Sequence, residues 1–221
     1  LVLKNNTKLV LKIWNEQDED QVNYLLKITS YLAKSGVPTP SPIVFDNGSY
    51  LIMRDGLPWT ILPFVEGSWL KSDYESLFSL AKIQAEMHLI TPPINLKSNF
   101  SMGISLFEKL FNIANENNEW TDFLLLLKSS RSLYHNIENL PRGIIHGDLF
   151  PDNVIGRDNS AISILDFEEV CNDILAFDLM MTFVGFGWEG GEPVEERWKA
   201  ILDGYQSVRK LSKDEISALP D

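Results

Sequence analysis

The chain has one cysteine, Cys171, and three histidines among its 221 residues. A lone thiol excludes an intrachain disulfide framework and a cysteine-rich zinc site, and it suits a reducing compartment such as the cytoplasm. Positive charge is also scarce. Lys and Arg number 19 against 31 Asp and Glu, for a formal net charge of −12. Nucleic-acid binding through a broad basic face needs clustered cations and is disfavoured. No apolar run approaches the roughly 18 residues of a membrane span, so no membrane partner is expected. Apolar residues alternate with Lys and Asn over the first fourteen positions, which does not read as a secretory leader. Core-forming residues are plentiful: 44% of the chain is hydrophobic, with 12 Phe, 6 Trp and 6 Tyr. That is enough for a folded unit of one large domain or two small lobes.

The first third reads as strand-rich. Residues 1–3 and 9–14 form strand patterns around the turn residues Asn5-Asn6-Thr7. Residues 16–34 repeat apolar side chains at helical spacing, and Gly36 ends that helix. The prolines of residues 37–42 dictate an extended linker. Short strands follow at 43–45, 50–54 and 59–65, separated by Asn47-Gly48 and Asp55-Gly56 turns. After Gly67 the spacing becomes helical, at 72–90, 104–115, 120–140, 173–183 and 193–208. Two short strands, 154–155 and 162–165, interrupt it. Ser212-Lys213-Asp214-Glu215 is a capping box that opens a last helix. This is an α+β pattern.

The most informative stretch is His146-Gly147-Asp148-Leu149-Phe150-Pro151-Asp152-Asn153, followed by Ile164-Leu165-Asp166-Phe167. It fits the kinase pattern H-x-D-L-x-x-x-N and then D-F at a strand end. Phosphoryl transfer needs a carboxylate beside the acceptor hydroxyl and oxygen ligands for Mg²⁺ on the nucleotide phosphates. Asp148 suits the first task. Asn153, through its amide oxygen, and Asp166, through its carboxylate, suit the second. Each residue alone reads more simply as a cap or turn. Their order, spacing and strand–loop–strand setting reverse that balance.

The stretch resembles the aminoglycoside phosphotransferase and choline kinase superfamily, with Asp166-Phe167-Glu168 in place of the protein kinases' D-F-G. Within it, the 146–153 run is similar to type II homoserine kinases. So are Cys171-Asn172-Asp173-Ile174-Leu175-Ala176-Phe177-Asp178 and the late 204–220 segment. The chain departs from that branch at Glu168 and Glu169, where aromatic residues are frequent, and at Gly147, where Ala is frequent. The resemblance implies a bilobal protein-kinase-like fold. Residues 1–66 would be the remainder of a β-rich nucleotide-binding lobe and its hinge, and residues 67–221 a helical catalytic and substrate lobe.

The resemblance also implies ATP and Mg²⁺ as cofactors and a small-molecule hydroxyl acceptor as partner. Foremost is a hydroxyl amino acid such as homoserine; an aminoglycoside, choline, methylthioribose or hydroxylysine is the alternative. Lys12 matches the strand lysine that reaches the phosphates, and its alternation with Val10 turns it toward a cleft. Its carboxylate partner is expected from the following helix. Glu19 shares a stripe with Val22 and Leu26, while Glu16, Asp18 and Asp20 compete. Phe64 and Val65, in Leu62-Pro63-Phe64-Val65-Glu66-Gly67, fall where a hinge backbone binds adenine.

Asp178, His146 and His88 read as structural, His135 as surface, and Cys171 as an inert packed thiol. Trp188, among Gly185, Gly187, Gly190 and Gly191, reads equally as acceptor recognition or as a flexible interhelical loop. A nucleotide-binding pseudokinase and a metal-dependent hydrolase are the competing classes. Intact Asp148, Asn153 and Asp166 oppose the first, and the lack of a further His–carboxylate cluster opposes the second. The chain opens at Leu1 within a strand pattern and stops at Asp221 after a helical one. The expectation is therefore a piece missing a glycine-rich phosphate loop and closing helices, and weakly active or inactive by itself.

Overall fold

A computed structural model describes residues 1–130, 137 and 139–218. The first sheet is antiparallel, in the order β1 (Leu9–Ile13), β3 (Leu57–Pro63), β2 (Ile52–Arg54). Lys12 lies opposite Thr60 in its register. Residues 1–3 form only an isolated bridge, Val2 with Lys8. Residues 43–45 join no ladder beyond the Ile43 N–H, which donates to the Ile61 carbonyl at 2.9 Å. The neighbouring prolines lack the N–H groups that would extend it.

Helix α1 (Glu19–Lys34) begins three residues later than its apolar spacing suggests. Asp18 is the reason: its side chain accepts from the Gln21 N–H, and Gln21 returns the bond to the Asp18 N–H. The helix closes in a Schellman motif. The Gly36 N–H donates to Ala33 and the Val37 N–H to Leu32, with Gly36 at φ +102°. Val22, Leu25, Leu26 and Leu32 carry its buried face into a core that continues through both lobes.

Strand β4 (Ser68–Trp69) adds to the edge of the hairpin β6 (Val154–Arg157) and β7 (Ser160–Ile164). A second pair joins β5 (Arg142–Ile145) to β8 (Cys171–Ile174). The helical lobe is built from α2 (Tyr74–His88), α3 (Ile104–Asn117), α4 (Asp122–Ser129), α5 (Leu175–Phe186), α6 (Glu195–Gln206) and α7 (Lys213–Ala218). Helices α2 and α6 pack closely because Gly204 has no side chain; a Cβ there would lie 2.2 Å from the Phe78 carbonyl oxygen. The capping box before α7 is present, with Ser212 and Glu215 exchanging bonds.

Residues 171–174, partly read as helix from sequence, are strand. The segment around Trp188 is not an open loop: β9 (Trp188–Glu189) and β10 (Glu192–Pro193) form a hairpin turned by Gly190 and Gly191 at φ +60° and +88°. Of the helix expected over residues 120–140, α4 accounts for Asp122–Ser129. Residues 131–136 and 138, His135 among them, lie outside the described residues. Among the described residues no helix is long and apolar enough to cross a membrane.

Candidate active site

The loop 146–153 runs from the buried end of β5 into the hairpin β6–β7, closing with a 3₁₀ turn at Pro151–Asn153. Its backbone is anchored from below by Asp178, a fully buried residue of α5. The Gly147 N–H donates to Asp178 Oδ1 at 2.8 Å. Gln84 Nε2 and His88 Nε2 reach Oδ2 at 2.8 and 3.0 Å, and His88 Nδ1 meets the Tyr205 hydroxyl at 2.7 Å. Burial opposes ionisation of Asp178. The His88 bond and charge, the nearby His146 and the Gly147 N–H outweigh it and hold the carboxyl below its ordinary value.

His146 is equally committed. Nδ1 accepts from the Asp148 N–H at 3.2 Å, so the proton belongs on Nε2, which donates to the Leu165 carbonyl at 2.8 Å. An imidazole with both nitrogens occupied orders the loop. Its ring meets Phe167 at 4.7 Å between centroids, and that buried Phe anchors the chain beside Asp166. Gly147 fits at φ +82°, where a Cβ would press on the Glu169 backbone and the Phe100 ring.

Asp148 projects from this frame. Asn153 Nδ2 donates to its carbonyl at 2.8 Å and to its Oδ2 at 3.0 Å. Asn153 Oδ1 takes no part in either bond. Burial pushes the Asp148 carboxyl up from its ordinary value. The charges of Asp152 and Asp166 push the same way, against the neighbouring His146 and the Asn153 bond. Asp166 sits at φ +59°, a left-handed conformation costly for a non-glycine residue. Its backbone is fixed on both sides, by the Leu165 N–H on the Asn153 carbonyl at 2.8 Å and by buried Phe167.

Lys12 reaches across from β1. Its Nζ lies 3.1 Å from Asp166 Oδ1, 2.5 Å from Glu168 Oε1 and 4.0 Å from the Trp14 ring centroid. Lys12, Val10, Phe64, Val65 and Asp166 line one cleft of about 510 Å³ between the lobes, with exposed Trp69 at its edge. Asp148 and Asn153 bond each other on the adjoining loop, and the Asn153 carbonyl ties that loop to Leu165 beside Asp166; Glu19 is the candidate placed apart. That residue is exposed in the first turn of α1, and the carboxylates touching Lys12 are Asp166 and Glu168.

Sequence reasoning did not assign Glu168 or Gln17, whose Nε2 donates to Glu168 Oε2 at 2.8 Å. The available signal was the pair of acids directly after D-F. Among the described residues no three His, Cys, Asp or Glu side chains converge on a metal-sized nest. The donor set is one carboxylate and one amide oxygen, all hard oxygen. That fits Mg²⁺, which keeps waters and phosphate oxygens for most of its sphere.

The phosphotransferase enzyme family model matches residues 1–211. The chain belongs to this family. Homoserine kinase from Agrobacterium fabrum (strain C58) is 29% identical over 219 residues, covering 96% of this chain and 68% of that protein. Homoserine kinase from Rhizobium etli (strain CFN 42) is 30% identical over 232 aligned positions, covering 100% and 71%. A solved amicoumacin kinase, in complex with AMP-PNP, Ca²⁺ and Ami, superposes with a TM-score of 0.74 at 14% identity, covering 99% of this chain and 72% of that one. The phosphotransferase therefore has the bilobal kinase-like fold, and it is an ATP-dependent small-molecule kinase.

Proposed function

We propose that this phosphotransferase moves the γ-phosphoryl group of ATP to the hydroxyl of a hydroxyl amino acid, homoserine being the foremost candidate. What supports the transfer is a loop carboxylate bonded to Asn153, whose carbonyl holds the Leu165 N–H beside Asp166, with a strand lysine 3.1 Å from Asp166. Identity near 30% to homoserine kinases over almost the whole chain supports the acceptor.

In this reading Asp148 orients the acceptor hydroxyl and takes its proton, a task suited to a carboxyl whose affinity for protons burial has raised. Asn153 Oδ1 and Asp166 would hold Mg²⁺, which when bound neutralises charge on the phosphate oxygens. Lys12 steadies those phosphates. The hinge at Phe64 and Val65 offers backbone groups to the base and divides residues 1–66 from 67–221. The Phe64 N–H is already turned to the Lys8 carbonyl at 3.3 Å, which leaves Val65 the better placed of the two.

The test is ADP release with homoserine, choline, hydroxylysine, methylthioribose and an aminoglycoside as acceptors. Homoserine is expected to give the largest kcat/KM. A different acceptor at the top would move the assignment within the family. Asp148→Asn should abolish transfer while Mg·ATP still binds, and turnover retained in that variant would remove Asp148 from the proposed role. Nucleotide binding with no transfer to any acceptor, in a protein extended to the length of its homoserine kinase relatives, would favour the pseudokinase.

A further inference from the structure

The two carboxylates around Lys12 have different prospects once nucleotide arrives. Asp166 faces the cleft, and on the kinase reading above, on which this inference rests, it is spent on a divalent cation. A carboxylate that ligates a cation has much of its charge cancelled and loses most of its hold on a neighbouring ammonium.

Glu168 is placed otherwise. Its Oε1 lies 2.5 Å from Lys12 Nζ, and its Oε2 accepts from Gln17 Nε2 at 2.8 Å. Gln17 belongs to the turn just before α1, so the carboxylate is fixed from the N-terminal lobe. The Lys12 and Glu168 side chains are 27% and 30% exposed, withdrawn far enough from water to strengthen their attraction over that of a surface pair. The Trp14 ring backs the ammonium, and Trp14 is itself held by its Nε1 bond to Thr60 at 3.2 Å. Asp18 starts α1 where Glu19 falls in its exposed first turn.

We propose that Glu168 is the positioning residue that holds Lys12 in the cleft for the nucleotide phosphates, in place of a carboxylate from α1. The D-F-E order then has a local purpose: the residue after Phe167 returns to the strand lysine, while Asp166 remains free for metal. Glu168 touches neither phosphate nor acceptor in this scheme and acts through Lys12.

The experiment is calorimetric titration of the chain with Mg·ATP, paired with steady-state kinetics on the acceptor found above. Glu168→Gln is expected to weaken Mg·ATP binding about five- to thirtyfold, from the upper end of an exposed pair to well short of a buried one. The loss should fall on KM for ATP far more than on kcat, with the urea midpoint unchanged. Glu168→Asp, which keeps the charge, should recover part of the affinity, and it also serves if the Gln variant folds poorly. Glu19→Gln should cost less than Glu168→Gln. Wild-type affinity in Glu168→Gln, or the larger loss in Glu19→Gln, would overturn the inference while leaving the kinase reading standing. Failure of the wild-type protein, extended to the length of its homoserine kinase relatives, to bind Mg·ATP would instead count against that reading, and the inference would fall with it.

Discussion

Replacing Asp178 by Asn keeps the side-chain volume, removes one negative charge and turns one acceptor oxygen into a donor. Three buried donors converge on that carboxylate: Gln84 Nε2, His88 Nε2 and the Gly147 N–H. With its oxygen toward Gly147, the Asn amide opposes Gln84 and His88; flipped, it opposes Gly147. Gln84 cannot turn over freely, because its Oε1 accepts from Thr182 at 3.1 Å. At least one buried donor therefore faces another, at about 1–3 kcal/mol each, and a charge-assisted buried pair is lost as well, worth about 3–5 kcal/mol when broken outright. Allowing for relaxation, the expected loss is about 3 kcal/mol, or about 6–12 °C in Tm for a chain of this size. Urea unfolding with an unchanged slope measures it.

The pH dependence carries a second signature of the same residue. The native carboxyl titrates below its unfolded-state value. Its stabilisation is thus complete above the unfolded-state value and disappears as pH falls through the native one. Asp178→Asn should flatten stability in that acid window. A variant within about 0.5 kcal/mol of wild type, the scale of an ordinary surface change, or one with undiminished acid sensitivity, would refute the account of Asp178 as the loop's anchor.

Gly204→Ala should lower stability by about 2 kcal/mol, an overpacking cost larger than the gain in helix propensity. The new Cβ would meet Phe78 backbone and force α2 and α6 apart; a Tm at or above wild type would contradict this. The acid limb of kcat/KM should lie above the ordinary aspartate value, because burial raises the Asp148 carboxyl. A limb at or below that value assigns it to another group. Burial, with Asp173 and Asp178 nearby, pushes the Cys171 thiol up to about 12. Iodoacetamide at pH 8 should therefore leave the native protein unmodified and alkylate it only after unfolding.

The loop 146–153 could be singled out because the residues that point to phosphoryl transfer are compressed into eight consecutive positions. Lys12 was singled out by the family resemblance, with its alternation with Val10 as support, and both side chains line the cleft. The partner of Lys12 was not. Periodicity over residues 16–34 places Glu19 on the stripe of Val22, but it does not say where the helix begins, and the Asp18 cap decides that. Strand β8 was hidden for a different reason. Cys171–Ile174 becomes strand only by pairing with Arg142–Ile145, some thirty residues earlier, whereas Asp173 onward carries a locally helical pattern. The hairpin at Trp188 likewise owes its form to tertiary contact. Trp198 Nε1 and Arg197 Nη1 donate to the Gly187 and Trp188 carbonyls, each at 2.8 Å, and tie the turn to α6.

The ammonium of Lys12 rests over the Trp14 indole, whose own N–H is held by Thr60 inside the sheet. A positive charge at 4.0 Å from an aromatic face shifts the energy of its excited state and its quantum yield. Trp14 is therefore an intrinsic optical sensor of the lysine's position. When a phosphate draws the ammonium away, the emission of this buried indole should change in step. Nucleotide arrival in the cleft then becomes visible by fluorescence without any label, and a variant retaining Trp14 as its only indole would report that one side chain alone.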